Sequence, residues 1–372
     1  MQYFSLVTLA ILVICLLIQL YYTFRFHLKL RKYKTDDQPG ELRIPVSVVI
    51  CARNEEENLK NNLPLILEQE YPDFEVVLVN DCSSDYSDLV LRDYASRYKN
   101  LKVVTINEHE RYKHGKKFAV TLGIKAAKNE HLIFTDADCK PASKNWLLRM
   151  QQNFVDGTEI ILGYSPYEKL NTFVNKLIRY ETFFTALNYL SFAAARNPYM
   201  GVGRNMAYTK SLFFRSKGFA AHMHIPSGDD DLFVNQNANF HNTRIEIHPE
   251  THVWSEPKKT FSQYLNQKIR HLGAGKVYKK HHKLSLSMHA GSAILFYILL
   301  IISACVFPDM WPFLLGAYLF RLIVQLWVYY PIYSKLNYKD LVLFYPAFDL
   351  IYLFYILALN IITTFKKKVQ WR

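Results

Sequence analysis

The chain has 372 residues, half of them hydrophobic and 15% aromatic, and a formal net charge of +13 from 45 basic and 32 acidic residues. That length admits one sizeable domain with a membrane part, or two small domains. The basic excess gathers beside apolar segments, at Arg25, Lys29, Arg31, Lys32 and Lys34 and again at Lys276, Lys279, Lys280 and Lys283; with no recognition motif beside it, this placement points to an anionic membrane surface and argues against a nucleic-acid partner.

Residues 3–24 are an apolar run too long for a signal-peptide core and without a small-residue cleavage site, so an uncleaved anchor helix is expected over 1–24, its basic trailing flank on the cytoplasmic side. A basic linker at 25–44 follows, polar with a Pro-Gly step at 35–42. From residue 45 the texture is that of a soluble domain. VSVVI at 46–50, EVVLV at 75–79, LKVVTI at 101–106 and HLIFT at 131–135 read as strands; 55–69, 85–99 and the segment after Lys116 read as helices. This alternation predicts an α/β domain with a mostly parallel sheet over 45–265, with ligands beyond the carboxyl ends of its strands. The aromatic stretch 170–200 is either a core helix or one lying on the bilayer, and the interfacial reading is the one adopted. An interfacial segment at 266–285 leads into apolar runs at 286–307, 310–332 and 341–364, within a bundle at 286–364. Three crossings leave the basic tail 365–372 outside, against the positive-inside tendency, so the side of the tail stays open. Inside this bundle Arg321 and Asp349 stand about equally far from the short loop 334–340, which brings them to similar depth as a buried ion pair. The five cysteines have no paired or metal-binding spacing, which suits a reducing compartment.

The polar residues that stand out follow strands. CARNEEENL at 51–59 and NDCSSDYS at 80–87 each have a plainer reading as a helix start or a capped turn. TDADC at 135–139 puts two carboxylates around one small residue, a spacing that lets both reach one hard cation with diphosphate oxygens completing the shell. SGDDDLF at 227–233 packs three mutually repelling aspartates, which a cation or a working proton would offset; the alternative is a solvated turn or N-cap. QKIRH at 267–271 sets Gln267 and Arg270 on one helix face, suited to a diphosphate or simply to a basic juxtamembrane helix.

Taken together over residues 46–276, the order of these motifs resembles the large inverting glycosyltransferase family two, of the GT-A fold, and in particular its membrane-bound branch with ceramide glucosyltransferases and processive polysaccharide synthases. The resemblance implies a GT-A nucleotide-sugar-binding domain flanked by one N-terminal and about three C-terminal transmembrane helices. It implies a donor site of Cys51, Arg53, Glu55, Asp81, Lys116, Asp136, Gln267 and Arg270, with Asp81 reading uracil. Mg2+ or Mn2+ would rest on Asp138 and Asp136. The catalytic base would be Asp229 or Asp230, with Asp229 preferred. His271 stands where the family usually has Trp, which puts polymer threading in doubt. With Asn205, from GRNMAY at 203–208, it is assigned to the acceptor side. The expected reaction is metal-dependent, inverting transfer of a sugar from a nucleotide-sugar, a UDP-sugar by preference, to a lipid or other membrane-associated hydroxyl, at the cytoplasmic face of the cell membrane. The alternatives are a processive polysaccharide synthase and a catalytically inactive membrane scaffold.

Overall fold

The computed structural model describes residues 2–107, 115–225, 227–271 and 274–365. Nine strands are seen among them: β1 (Val46–Ala52), β2 (Phe74–Asp81), β3 (Leu101–Ile106), β4 (His131–Asp136), β5 (Cys139–Pro141), β6 (Ile160–Leu162), β7 (Met206–Thr209), β8 (Thr243–Ile245) and β9 (Val253–Ser255). Seven form one sheet in the order β3-β2-β1-β4-β7-β6-β8, and β5 pairs with β9 apart from it. Strands β3, β2, β1 and β4 are mutually parallel, whereas β7 runs antiparallel to both β4 and β6. The four runs read as strands are all strands, within two residues at either end. Their unbroken Val, Ile and Leu content has a simple cause: β1 and β2 are buried along nearly their whole length, with helices on both faces. This is the mostly parallel sheet with flanking helices of the GT-A fold, and it brings the carboxyl ends of β1, β2 and β4 side by side at one edge.

Four helices are long and apolar enough to cross a membrane: Leu6–Lys32, Lys280–Val306, Pro308–Lys335 and Lys339–Leu359. The first does not end at residue 24. It continues through a π-helical turn, Thr23–His27, to Lys32, so the basic flank at Arg25, Lys29, Arg31 and Lys32 is helical. The stretch after it is held down as well. Arg149 donates to the carbonyls of Asp36 and Asp37, Gln151 to that of Leu42, and Tyr33 to that of Ile245. Lys335, at the end of the third long helix, donates to the carbonyls of Leu30, Arg31 and Tyr33 and so caps the first. Residues 366–372, and with them the lysines of the tail, lie outside the described residues.

The aromatic stretch after residue 170 forms the helix Phe173–Ala194, and the interfacial expectation for it is corrected. Buried side chains occur all round it, because the sheet's core covers one side and the long apolar helices the other. Phe183 stacks on Tyr333 at 3.5 Å, and Arg179 forms a two-pronged ion pair with Asp340 at 2.9 and 2.6 Å. The soluble domain is thereby fastened to the apolar bundle.

Arg321 and Asp349 do meet. Arg321 Nη1 lies 2.6 Å from Asp349 Oδ2, with both side chains almost fully buried. Tyr297 donates to the same Asp349 oxygen at 2.7 Å and accepts from Arg321 at 3.1 Å, while Arg321 Nε donates to Gln19 Oε1 at 2.5 Å. Each of the four long helices thus contributes one member to a single polar knot. Arg321→Leu or Asp349→Leu leaves the other charge orphaned, and each is expected to destabilise the protein by roughly 2.5–3.5 kcal/mol. The double substitution should recover much of that loss. Thermal denaturation of the four proteins in detergent checks this, and strictly additive losses would show that the two charges act independently.

Candidate active site

The ends of β1 and β2 are laced together by backbone-to-side-chain bonds. Asn54 adopts a left-handed backbone, φ 55°, and its Oδ1 accepts from the backbone of Ser84 at 2.8 Å. In return Ser83, Ser87 and Asp85 accept from the backbone N–H groups of Asn54, Glu55 and Glu56, capping the helix Glu56–Leu67 from outside. Burial would raise Asp85, but bonds from Ser87 and Glu56 hold its carboxyl below the usual range. The helix-start reading of the first motif and the capped-turn reading of the second both describe the local geometry, and together they bring Cys51, Arg53 and Glu55 to the lining of a cleft. Burial pushes the Cys51 thiol up, so it is a wall and no nucleophile. Asp81 is fully buried at the last position of β2 and is not among the residues lining the cleft.

Asp136 ends β4 and Asp138 lies in the turn that follows; both line the cleft. Lys116 begins the helix Lys116–Ala126 and reaches Asp136 at 2.9 Å and Asp229 at 3.4 Å. Burial opposes its charge, yet the carboxylates of Asp136, Asp229 and Asp230 hold it well above the ordinary lysine value. Its neighbour Lys117 turns the other way and donates to the carbonyls of His222 and Ile225, and burial pulls it down to about 8. Glu55 is raised by burial and by the charges of Asp138 and Asp136. Among the described residues Asp138 has no ion-pair partner, and no group of three His, Cys, Asp or Glu side chains is arranged to hold a metal ion alone. A carboxylate pair in a field this acidic fits a divalent cation that a ligand's oxygens help to hold.

The three consecutive aspartates have three different environments. Gly228 precedes them at φ +87°, a conformation that favours glycine. Asp230 caps the helix Asp231–Asn237: its Oδ1 accepts from Asp231 N at 2.7 Å and its Oδ2 from Gly203 N at 2.8 Å. A Cβ at position 203 would stand only 3.3 Å from that carboxylate, so glycine permits the approach. Asp231 accepts from Tyr278, just beyond the helical turn Ala274–Val277, at 2.8 Å. Asp229 is left facing Lys116 and the cleft. Of the two candidates from the acidic run, Asp230 spends both oxygens on backbone and Asp229 spends neither.

Burial and the neighbouring Asp230 push Asp231 up to about 7. An unfolded chain releases that proton near the ordinary ~3.9. Asp231 therefore favours the native state below about pH 4, and this contribution is lost as pH rises toward 7. Asp231→Asn should raise the melting temperature relative to the parent increasingly from pH 4 to 7. A pH-independent difference would count against this titration.

The far wall is formed by Thr182, Thr185, Ala186 and Tyr189 of the helix Phe173–Ala194, and by Gln267 and Lys268 of the helix Phe261–His271. Gln267 donates to Tyr167 Oη at 3.4 Å, and Lys268 pairs with the buried Glu181 at 3.0 Å. The side chains of Arg270 and His271 lie outside the described residues. Asn205, assigned to the acceptor side, is corrected. It is fully buried, accepts from Trp146 Nε1 at 3.1 Å and donates to the carbonyls of Tyr164 and Thr251 at 2.8 Å, so its amide is spent on the scaffold. Its neighbour Arg204 lines the cleft instead. Motif reading missed Arg204, Tyr167, Lys258 and the Glu181–Lys268 pair. Only Arg204 carried a signal, as a cation inside GRNMAY.

One cavity of about 450 Å3 thus joins Cys51, Arg53, Glu55, Lys116, Asp136, Asp138, the three aspartates and Gln267, which are 216 residues apart along the chain at most. Residues 47–220 match the family model described as Glycosyl transferase family 2. Glycosyltransferase AglE of Haloferax volcanii is 33% identical over 106 residues, 28% of this chain and 33% of that protein. A poly-beta-1,6-N-acetyl-D-glucosamine synthase of Staphylococcus epidermidis is 31% identical over 93 residues, 25% of this chain and 21% of that protein. The match thus spans a third or less of either relative's own length. The mannosyltransferase PcManGT of Pyrobaculum calidifontis, solved in complex with GDP-Man and Mn2+, superposes with a TM-score of 0.60 at 18% identity, over 93% of this chain and 98% of that one. At that identity the likeness is one of fold.

Proposed function

We propose, from the match of residues 47–220 to the glycosyl transferase family 2 model, that the chain transfers a sugar from a nucleotide-sugar, a UDP-sugar by preference, to a hydroxyl of a lipid at the cytoplasmic face of a membrane. The observation that carries this reading is the meeting of Asp136, Lys116 and Asp229 within salt-bridge distance in one cleft, with Asp138 and Gln267 on its walls.

Asp138, with Asp136, would hold Mg2+ or Mn2+, which when bound neutralises the charge of a diphosphate leaving group. Lys116 places a fixed cation at the same point and needs no reorganisation during the reaction. Asp229 takes the proton from the acceptor hydroxyl, whose oxygen forms the new bond to the anomeric carbon as the bond to the diphosphate breaks on the opposite face. The configuration inverts, and no covalent enzyme intermediate is required. Arg53 and Glu55, at the end of β1, are placed to orient the nucleoside side of the donor.

A lipid acceptor is supported by the cavity's far wall. The helix Phe173–Ala194 lines it on one side and packs against the long apolar helices on the other. A growing polysaccharide is the second reading, supported by the likeness to a polysaccharide synthase. Membranes containing the protein, supplied with labelled UDP- and GDP-sugars and a lipid extract, with and without Mn2+, test both. One sugar on an extractable lipid is expected; a ladder of products establishes the second reading. Absence of both transfer and donor hydrolysis with every donor would remove the enzymatic proposal.

A further inference from the structure

The cleft's cations are unequal. Lys116 is engaged by Asp136 and Asp229, and Lys268 by Glu181. Arg204 lines the same cleft but has no ion-pair partner among the described residues. It is far from loose. Nη1 donates to Ser255 Oγ at 2.9 Å, Nη2 donates to the carbonyl of Ser165 at 3.1 Å, and the guanidinium lies 4.3 Å from the centroid of the Tyr167 ring. Two neutral acceptors and an aromatic face fix its plane without neutralising it. Each Nη keeps a second N–H, and Nε is a further donor.

A cation held in one orientation in a recess, with carboxylates in its field and none in ion-pair contact among the described residues, keeps donors open toward the cleft. It is also preorganised for an anion, because a planar fork of donors matches the oxygens of a phosphate and loses little freedom on binding. The position agrees with this. The charges of Asp138 and Asp136 act on Arg204, and Tyr167 beneath it receives the hydrogen bond from Gln267. Arg204 therefore shares the cleft with the carboxylates of the β4 end and is linked through Tyr167 to the helix Phe261–His271.

We propose that Arg204, stacked on Tyr167 and tied to Ser165 and Ser255, is the seat of a phosphate oxyanion in this cleft. The proposal rests on the nucleotide-sugar reading only for which molecule bears the phosphate. Its bearer is either the donor's diphosphate or a phosphorylated acceptor lipid.

The test uses the full chain in detergent and titration calorimetry with four probes: inorganic pyrophosphate, UDP, uridine and dodecyl phosphate. Arg204→Met should weaken pyrophosphate about 10–100-fold, the worth of one or two charge-assisted hydrogen bonds. Arg204→Lys, which keeps the charge and loses the fork, should fall between Met and the parent. Uridine, which has no phosphate, should bind all three alike. A parallel loss for UDP assigns the site to the donor. An unchanged UDP with a parallel loss for dodecyl phosphate assigns it to the acceptor. Unaltered binding of every phosphate probe to Arg204→Met overturns the proposal. So does an equal loss of uridine and UDP, which would make Arg204 a peg of the scaffold. If Arg204→Met does not fold, Arg204→Lys decides: unchanged phosphate binding overturns the proposal, and weakened phosphate with intact uridine supports it. Pyrophosphate binding needs no sugar transfer, so an Arg204-dependent site in a protein without transferase activity would retain this proposal and remove the functional one.

Discussion

Asp229→Asn is expected to lower turnover by roughly 10²–10⁴-fold, the usual worth of a positioned general base, while donor affinity stays close to that of the parent. The substitution changes little volume. Lys116 keeps its 2.9 Å contact with Asp136, so the donor side of the cleft retains its fixed cation. What is lost is the one carboxylate of the acidic run that faces Lys116 and the cleft without being used as a helix cap. Asp230→Asn should behave differently. Its two oxygens accept from Gly203 and Asp231, and an asparagine can accept from only one of them through its single oxygen. That variant should lose thermal stability together with activity. Single-turnover rates and melting temperatures measured side by side separate the two. A stable Asp229→Asn protein with normal turnover would place the base elsewhere.

Asp138→Ala should reduce kcat/KM by a factor on the order of 10³ or more, since the charge stabilisation at stake amounts to several kcal/mol. Asp136 alone cannot compensate, because it is already committed to Lys116. Donor binding in this variant should no longer respond to Mn2+, and that response is the sharper readout: metal dependence can vanish even where residual affinity for the nucleoside remains. Parent-like activity and an unchanged Mn2+ response, at normal expression, would remove the carboxylate pair from the metal-binding role.

The parts of this architecture legible in the sequence are those where one physical requirement dominates. Strands β1, β2 and β4 read clearly because burial on both faces demands an apolar run, and the edge strand β3 through its β-branched content. The three-residue strands β5, β6, β8 and β9 carry no such pattern and exist through their pairing partners. The Arg321–Asp349 pair followed from helical rise and loop length, whereas Gln19 and Tyr297 depend on how four helices rotate against one another, which no linear spacing records. The helix Phe173–Ala194 misled for a related reason: an aromatic, weakly amphipathic sequence suits a bilayer surface and a fully enclosed helix equally. In GRNMAY the structure puts Arg204, and not Asn205, on the cleft wall. Both residues lie in the turn before β7, where Asn205 bonds back to Val202 and its amide to the scaffold while Arg204 lines the cleft, an arrangement no linear spacing records. The different surroundings of the three aspartates likewise depend on cap geometry at Asp230, which the run of identical residues does not record.

Lys335 grips the carbonyls of Leu30, Arg31 and Tyr33 across some three hundred residues of chain. That separation fixes an order of biosynthesis. The first long helix leaves the ribosome and can enter the bilayer long before its own C-terminal carbonyls have their partner. The catalytic domain is then translated while the strap at 33–42 still lacks its upper clamp. Only when the third long helix has been inserted can the lysine close over the end of the first, and the Asp340 anchor for Arg179 arrives five residues later. Chains released before residue 335 would carry the whole seven-stranded sheet yet lack both the Lys335 cap and the Asp340 anchor. In a stalled-ribosome series, protease resistance at 36–42 should therefore appear once Arg149 and Gln151 can fold onto it, and protection at 30–33 should follow as a later step once Lys335 has emerged.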